Sequence, residues 1–173
     1  ESPADLAGIE VGDIIISEDL TVEAANVLDV STSDYDITIA GDWVNNNVVD
    51  GFSERSGTVV SNGMAAQTIN KPAGETFYDL VINKSGGDLT INGDLAVTNT
   101  LTMTSGDIIT GTHTLILSDD SPTSLSHTNG TVVGRMQRAL SATSADYLFP
   151  IGTASSYRPA VFNFVTLSSS VDI

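Results

Sequence analysis

The chain has no cysteine, six lysines and arginines against twenty-two aspartates and glutamates, and only 6% aromatic residues. Each shortage excludes something. Without cysteine there is no disulfide framework, no thiolate zinc site and no cysteine nucleophile. A formal net charge of −16 repels nucleic acid, because binding it relies on neutralising phosphates with Lys and Arg. An anionic membrane surface is disfavoured for the same reason. No apolar run approaches the roughly eighteen residues of a membrane-crossing helix, so membrane insertion is not expected. No signal peptide opens the chain, which closes on "VTLSSSVDI", and we read it as a mature or excised piece of something longer. Acidity is uneven: residues 1–54 hold thirteen acids and no Lys or Arg, while 55–173 hold nine acids and all six bases. Solubility of a secreted protein is the preferred reading of this charge.

What is present is Gly, Ser, Thr and Asn among short apolar pairs, with 40% apolar residues overall, enough for a core. The stretch "GDLTINGDLAVTNTLTMTSGDIITGTHTLIL" (87–117) carries the pairs Leu89/Ile91, Leu95/Val97, Leu101/Met103 and Leu115/Leu117, with Ile108 where another is due. Leu80/Ile82 precedes them. A spacing of two within each pair is the strand period, and it predicts strands of three to five residues. Strands this short gain a core when successive coils stack, each strand pairing with its counterpart one coil away at about 4.8 Å. Leu95 to Leu115 is twenty residues, one coil of a parallel β-helix with three short sides. The expected fold is therefore all-β, a right-handed parallel β-helix (β-solenoid), with Gly and Asn at its corners. A left-handed hexapeptide helix fits Leu89, Leu95 and Leu101 but loses register at Ile108 and Leu115. An antiparallel β-sandwich is the other alternative, since Asn62-Gly63 and Asn92-Gly93 could each turn a hairpin.

The ends differ from the middle. Ser2, Pro3 and Gly8 suit the cap, first turn and stop of a one-turn helix over Ser2 to Ala7, followed by a strand from Ile9 or Val11 to Ile16. "SPADLAGIEVGDII" resembles a stretch of PDZ domains, but nothing after Ile16 continues it and no carboxylate-binding loop precedes it, so we read the match as coincidental. After Asp120 the apolar strands lengthen and three of the four arginines appear. The expected division is an N-terminal cap and first strand at 1–19, solenoid coils at 20–120, and a C-terminal β cap or partial sandwich at 121–173. "AVFNFVTLSSSV" reads as an apolar strand without a visible partner, an edge that could recruit a further domain or another subunit.

Four pieces carry a resemblance: Gly41 to Asn46, Gly57 to Ile69, Phe77 to Lys84 and Leu101 to Gly111, with "YLFPIGTASSYRP" downstream. Together, over about residues 20–165, they resemble repeat-rich segments of large bacterial secreted and cell-surface proteins, an adhesin-like family associated with type IX secretion. Ser61 stands where these repeats have an aromatic, and Asp79 where they have Asn. The resemblance implies an extracellular, architectural all-β segment and supplies no catalytic residues.

Among candidate sites, Gly12-Asp13, Gly41-Asp42, Gly87-Asp88, Gly93-Asp94 and Gly106-Asp107 could stack carboxylates for calcium, which takes six or more oxygens. Their irregular spacing favours plain turn formation, with Asp119-Asp120 the exception to watch. Thr102, Thr104, Thr110, Thr112 and Thr114 read as outward strand threonines rather than an ice-binding face. His113 and His127 lack metal-pair spacing, and no G-x-S-x-G elbow exists. Arg55, Lys71 and Lys84 are the only bases over the coils, too few for a lyase face. Trp43, Tyr35, Phe52 and Tyr78 could form a carbohydrate platform, although Trp43 beside Asn45 suits a corner or end-packing position. The sequence thus predicts no enzyme, no catalytic or metal residues and no cofactor. It predicts a surface segment that spaces, presents or assembles into filaments, with itself, neighbouring domains or surface glycans as partners. The alternative is a carbohydrate-binding or polysaccharide-cleaving β-helix.

Overall fold

The computed structural model describes residues 12–141, 143–167 and 171–173, with the side chains of 171 and 172 set aside. The expected Ser2–Ala7 helix and nearly all of the PDZ-like stretch lie outside these residues. The chain is a β-solenoid of about six turns. Strands are numbered in chain order. One side stacks β1 (Ile14–Ile16), β4 (Ile37–Ile39), β7 (Thr58–Ser61), the later parts of β9 (Glu75–Asn83) and β11 (Leu95–Ser105), and β13 (Leu125–His127). A second stacks β2 (Leu20–Val22), β5 (Trp43–Asn45), β8 (Gln67–Asn70), β10 (Leu89–Ile91), the starts of β12 (Ile108–Leu117) and β14 (Val132–Leu140), and β16 (Ile151–Thr153). The third begins with β3 (Leu28–Asp29) on β6 (Phe52–Ser53) and continues through the early parts of β9 and β11 and the later parts of β12 and β14. All of these pairings are parallel.

Register follows the apolar pairs. Ile14, Ile37, Val59, Leu80, Leu101 and Leu125 form one ladder, so the coils run 21 to 24 residues on this side. Leu95 pairs with Leu115, the twenty-residue step read from the sequence. Leu89, Leu95 and Leu101 start three different sides of one coil, and each is fully buried or nearly so. Burying such a side chain contributes roughly 1.5–3 kcal/mol, and the ladders repeat that gain coil after coil. Val30, Trp43, Phe52 and Phe77 join the same core.

Two expectations need correcting. The strands are not all three to five residues long: β9, β11, β12 and β14 have 9, 11, 10 and 9 residues. Each of these bends around a corner instead of breaking there, with irregular register between Val97 and Thr100 and between Ile109 and Thr114. Gly111 and Gly134 hold positive φ (60° and 127°) at such bends, which a side chain would resist. The proposed hairpins are absent too. The strands flanking Asn62-Gly63 (β7, β8) and Asn92-Gly93 (β10, β11) pair with other coils rather than with each other, because the inward apolar residues gain more burial by stacking.

The parallel ladders continue past Asp120 into β13, β14 and β16, where antiparallel strands join them. β17 (Ser156–Tyr157) lies on β16, β19 (Val171–Asp172) on β14, and β18 (Ala160–Asn163) pairs with β15 (Asp146–Phe149). The "AVFNFVTLSSSV" stretch therefore has partners, β15 at its start and β14 at its end. A second, smaller core of Leu140, Tyr147 and Phe149 sits beneath them. Among the described residues the only helical element is a 3-10 turn at Pro122–Ser124, capped by Ser121.

Candidate functional site

The aspartates at the coil corners bond to the next coil. Asp42 Oδ1 accepts the Thr68 amide at 2.7 Å, Asp94 Oδ1 that of Thr114 at 2.8 Å and Asp107 Oδ1 that of Thr131 at 2.8 Å. Asp36 does the same for Thr58 and Asp79 for Thr100, at 2.7 and 2.8 Å. Asp13, Asp19 and Asp34 take the amides of Asp36, Asp42 and Ser56. Where Gly41, Gly93 or Gly106 precedes the aspartate, the glycine serves the opposite neighbour, whereas Gly12 lies against Tyr35 of the following coil. A Cβ on Gly93 would lie 1.9 Å from the Lys71 carbonyl oxygen, and one on Gly41 2.3 Å from the Glu18 carbonyl carbon. At Gly41-Asp42, Gly93-Asp94 and Gly106-Asp107 the pair thus lets a corner press on the coil before it and bond the coil after it. Asp88 departs from this, using its backbone carbonyl to accept the Gln67 amide at 2.9 Å. Asp119 Oδ1 accepts the nearby Ser121 amide at 2.8 Å, and no cluster of three or more metal-ligating side chains occurs among the described residues.

Polar side chains also enter the core, at positions the ladders otherwise fill with Leu, Val or Ile. Glu75 occupies the row continued by Leu95 and Leu115, and it is 6% exposed. Its Oε2 accepts from Trp43 Nε1 and Asn45 Nδ2, both at 2.8 Å. Trp43, Phe52 and Phe77 meet edge to face at centroid distances of 4.8, 5.0 and 5.7 Å, a geometry that favours aromatic pairs. Lys71 is 3% exposed and donates from Nζ to the Asn47 carbonyl. Two concavities flank the 46–51 loop beside this cluster. One, about 300 Å³, is lined by Asp50, Glu54, Lys71, Glu75 and Thr76. The other, about 420 Å³, is lined by Asn45, Asn47, Val48, Lys71 and Pro72. This corner is the candidate site.

Two further buried cations act as clasps. Lys84 Nζ donates to the Ala65 carbonyl at 2.9 Å and to Gln67 Oε1 at 2.6 Å. Gln67 in turn takes Ser61 Oγ at 2.7 Å and reaches the Gly41 carbonyl at 2.5 Å, so one network ties three coils. Burial pushes the Lys84 ammonium below its ordinary pKa, with Asp88 and Asp42 acting the other way. Arg138, fully buried, follows Phe77, Val97 and Leu117 in its ladder. It donates to the Leu148 carbonyl at 2.8 Å and to Ser124 Oγ at 3.2 Å, under the rings of Tyr147 and Phe149. Burial lowers its pKa, against Tyr147 and Asp119.

The other residues singled out in the sequence fall as follows. Trp43 and Phe52 are 2% exposed, so neither offers a ring to a sugar, while Tyr35 and Tyr78 are half-buried. Thr110 is buried rather than outward, its Oγ1 accepting the Arg135 amide at 2.8 Å. His127 stacks on Tyr157 at 5.3 Å, with Nε2 2.9 Å from the Gly130 carbonyl. Arg55 forms a two-pronged pair with Asp29 at 2.5 and 2.7 Å. The buried Asn45–Lys71–Glu75 set was missed. A signal existed, since aligning coils at twenty residues sets Glu75 over Leu95 and Leu115. No family model, curated protein or solved structure matches the chain.

Proposed function

We propose that the chain is an extracellular structural and adhesive segment that spaces, presents or assembles at a bacterial surface. One observation carries this reading: a set of aspartates and two buried lysines hold neighbouring coils together. Eight aspartates bond the amides of the following coil, and Lys71 and Lys84 bond carbonyls of preceding ones. Such links suit a rod that must keep its length. The resemblance of its repeats to secreted surface proteins agrees with that use. Assembly is part of the proposal, and β13, paired with β11 alone, is the strand through which a further chain adds. A lyase screen on acidic polysaccharides tests the structural reading, and turnover of any of them would overturn it. A light-scattering series over concentration tests assembly, and a strictly monomeric particle removes that part while leaving the spacer role.

A carbohydrate-binding reading has one observation in its favour, the polar concavity lined by Asp50, Glu54, Glu75 and Thr76. Glycan-array binding that disappears in Asp50→Ala and Glu54→Ala would support it, and a blank array would end it.

A further inference from the structure

Lys71, Lys84 and Arg138 each bury a cation, and they differ in how it is held. Lys84 Nζ donates to the Gly63 and Ala65 carbonyls and to Gln67 Oε1, three acceptors for three N–H groups. Arg138 donates to three carbonyls and to Ser124 Oγ. Lys71 is as buried as Lys84, at 3% exposure, yet its one acceptor is the Asn47 carbonyl. Among the described residues the one ion pair is Arg55 with Asp29, so no carboxylate neutralises Lys71. A buried charge without a partner is costly, and two of the three Lys71 N–H groups have no protein acceptor.

Lys71 lines both concavities at this corner. Its contact residue, Asn47, lines the one of about 420 Å³ and not the acidic one, which places the ammonium on the former side. The wall there is ordered in advance. Asn45 is held by Glu75 and the Asn47 amide, and Asn47 by the Asn26 carbonyl and the Val49 amide. Asn46 is exposed, and its side chain makes no hydrogen bond to the described residues. Val48 and Pro72 add an apolar face.

We propose that this concavity binds a sugar bearing a single carboxylate, a uronic acid residue, with Lys71 as its counter-ion. The carboxylate accepts the two unfilled Lys71 N–H groups, Asn46 meets ring hydroxyls, and the C–H face of the ring lies on Val48 and Pro72. A volume of about 420 Å³ is that of a small-ligand site. A single carboxylate is favoured over a run of them, because a net charge of −16 repels a polyanion. The site is separate from the concavity of Asp50 and Glu54, and the structural role of the segment stands with or without it.

Amide NMR spectra of the isotope-labelled full chain, titrated with galacturonate, test this. Saturable shifts are expected at Asn46, Asn47, Val48, Lys71 and Ala73. Galactose, which lacks the carboxylate, should bind at least about tenfold more weakly. Lys71→Met should lose the shifts. Val48→Glu, at a residue 79% exposed, sets a repelling charge at the rim without touching the core and should also weaken binding, so the test stands even where Lys71→Met fails to fold. Trigalacturonate binding as well as the monomer would assign the end of a glycan chain, and binding of the monomer alone a free sugar acid. No saturable shift up to about 20 mM galacturonate, well above the ~1 mM of a weak single site, would overturn the proposal. Equal binding of galactose would remove Lys71 as counter-ion, and equal binding of inorganic phosphate would overturn the sugar acid as ligand.

Discussion

Asp107→Ala should destabilise the chain by removing one link between coils. Asp107 Oδ1 accepts the Thr131 amide at 2.8 Å, and Thr131 is 6% exposed, so water cannot readily replace the lost acceptor. A hydrogen bond to a charged group contributes about 1.5–3 kcal/mol, and the buried amide places this one toward the upper part of that range. Asp107→Asn keeps an acceptor oxygen without the charge and should cost about half as much. Asp34→Ala loses a link whose donor, the Ser56 amide, belongs to an exposed residue, and its cost should fall below about 1 kcal/mol. Urea unfolding followed by far-ultraviolet circular dichroism measures all three. With a slope of roughly 2 kcal/mol per molar urea, the Asp107→Ala midpoint should drop by about 1 M. The series should be repeated with calcium and with chelator. A Asp107→Ala cost within about 0.5 kcal/mol of zero, the range of an ordinary surface change, would refute the link. A cost seen only in calcium would show that these carboxylates hold metal rather than amides.

Arg138→Ala should cost about 3–5 kcal/mol, since it opens a cavity in a ladder and strips the Leu148 carbonyl and Ser124 Oγ of their donor; limited proteolysis should then cut first beyond Asp120. Lys84 has a folded pKa below its ordinary 10.5, so the unfolded chain binds more protons between those two values and stability should rise with pH across that window. Lys84→Met should abolish this rise while lowering stability overall, and a parallel pH profile in both proteins would contradict the assignment. Asp29, held at about 2 by the Arg55 guanidinium, should titrate near its ordinary 3.8 in Arg55→Ala when followed by NMR. Its small contribution is fully present above 3.8 and is lost as pH falls through about 2.

The solenoid was legible because its inward residues alternate. Leu95/Val97 and Leu115/Leu117 show both the strand period and the coil length, and the structure pairs them directly. Corners were less legible. Whether a chain breaks at a corner, as after Ile91, or bends through it, as between Val97 and Thr100, depends on the neighbouring coil and not on local propensity. Trp43, read as a corner or end-packing residue, is buried in the core, and its indole N–H bonds Glu75, which enters the apolar ladder at the Asn45 corner. A carboxylate in that row looks like an exposed charge until the coils are aligned. The buried Lys71, Lys84 and Arg138 were hidden for the same reason, since a basic residue is read as solvated unless its acceptors are known.

The same alignment explains how so acidic a chain tolerates stacking. Carboxylates on neighbouring coils at about 4.8 Å would repel by about 1 kcal/mol even in water. Along the corner before the first side, Asp36, Thr58, Asp79 and Thr100 follow one another through the registers of β7, β9 and β11. Each carboxylate there faces a neutral threonine whose amide it accepts, and the next carboxylate lies two coils away, near the screening distance of moderate salt. Asp42 with Thr68, Asp94 with Thr114 and Asp107 with Thr131 repeat the arrangement. The first coils break it: Asp13 is followed by Asp36, and Asp19 by Asp42, carboxylate on carboxylate. Asp13 also makes the longest of these amide contacts, 3.4 Å. Alternating Asp with Thr is therefore how most of these corners use charge to bind their coils, while Asp13 with Asp36, Asp19 with Asp42 and, in the middle, Asp88 with Asp107 stack carboxylate on carboxylate.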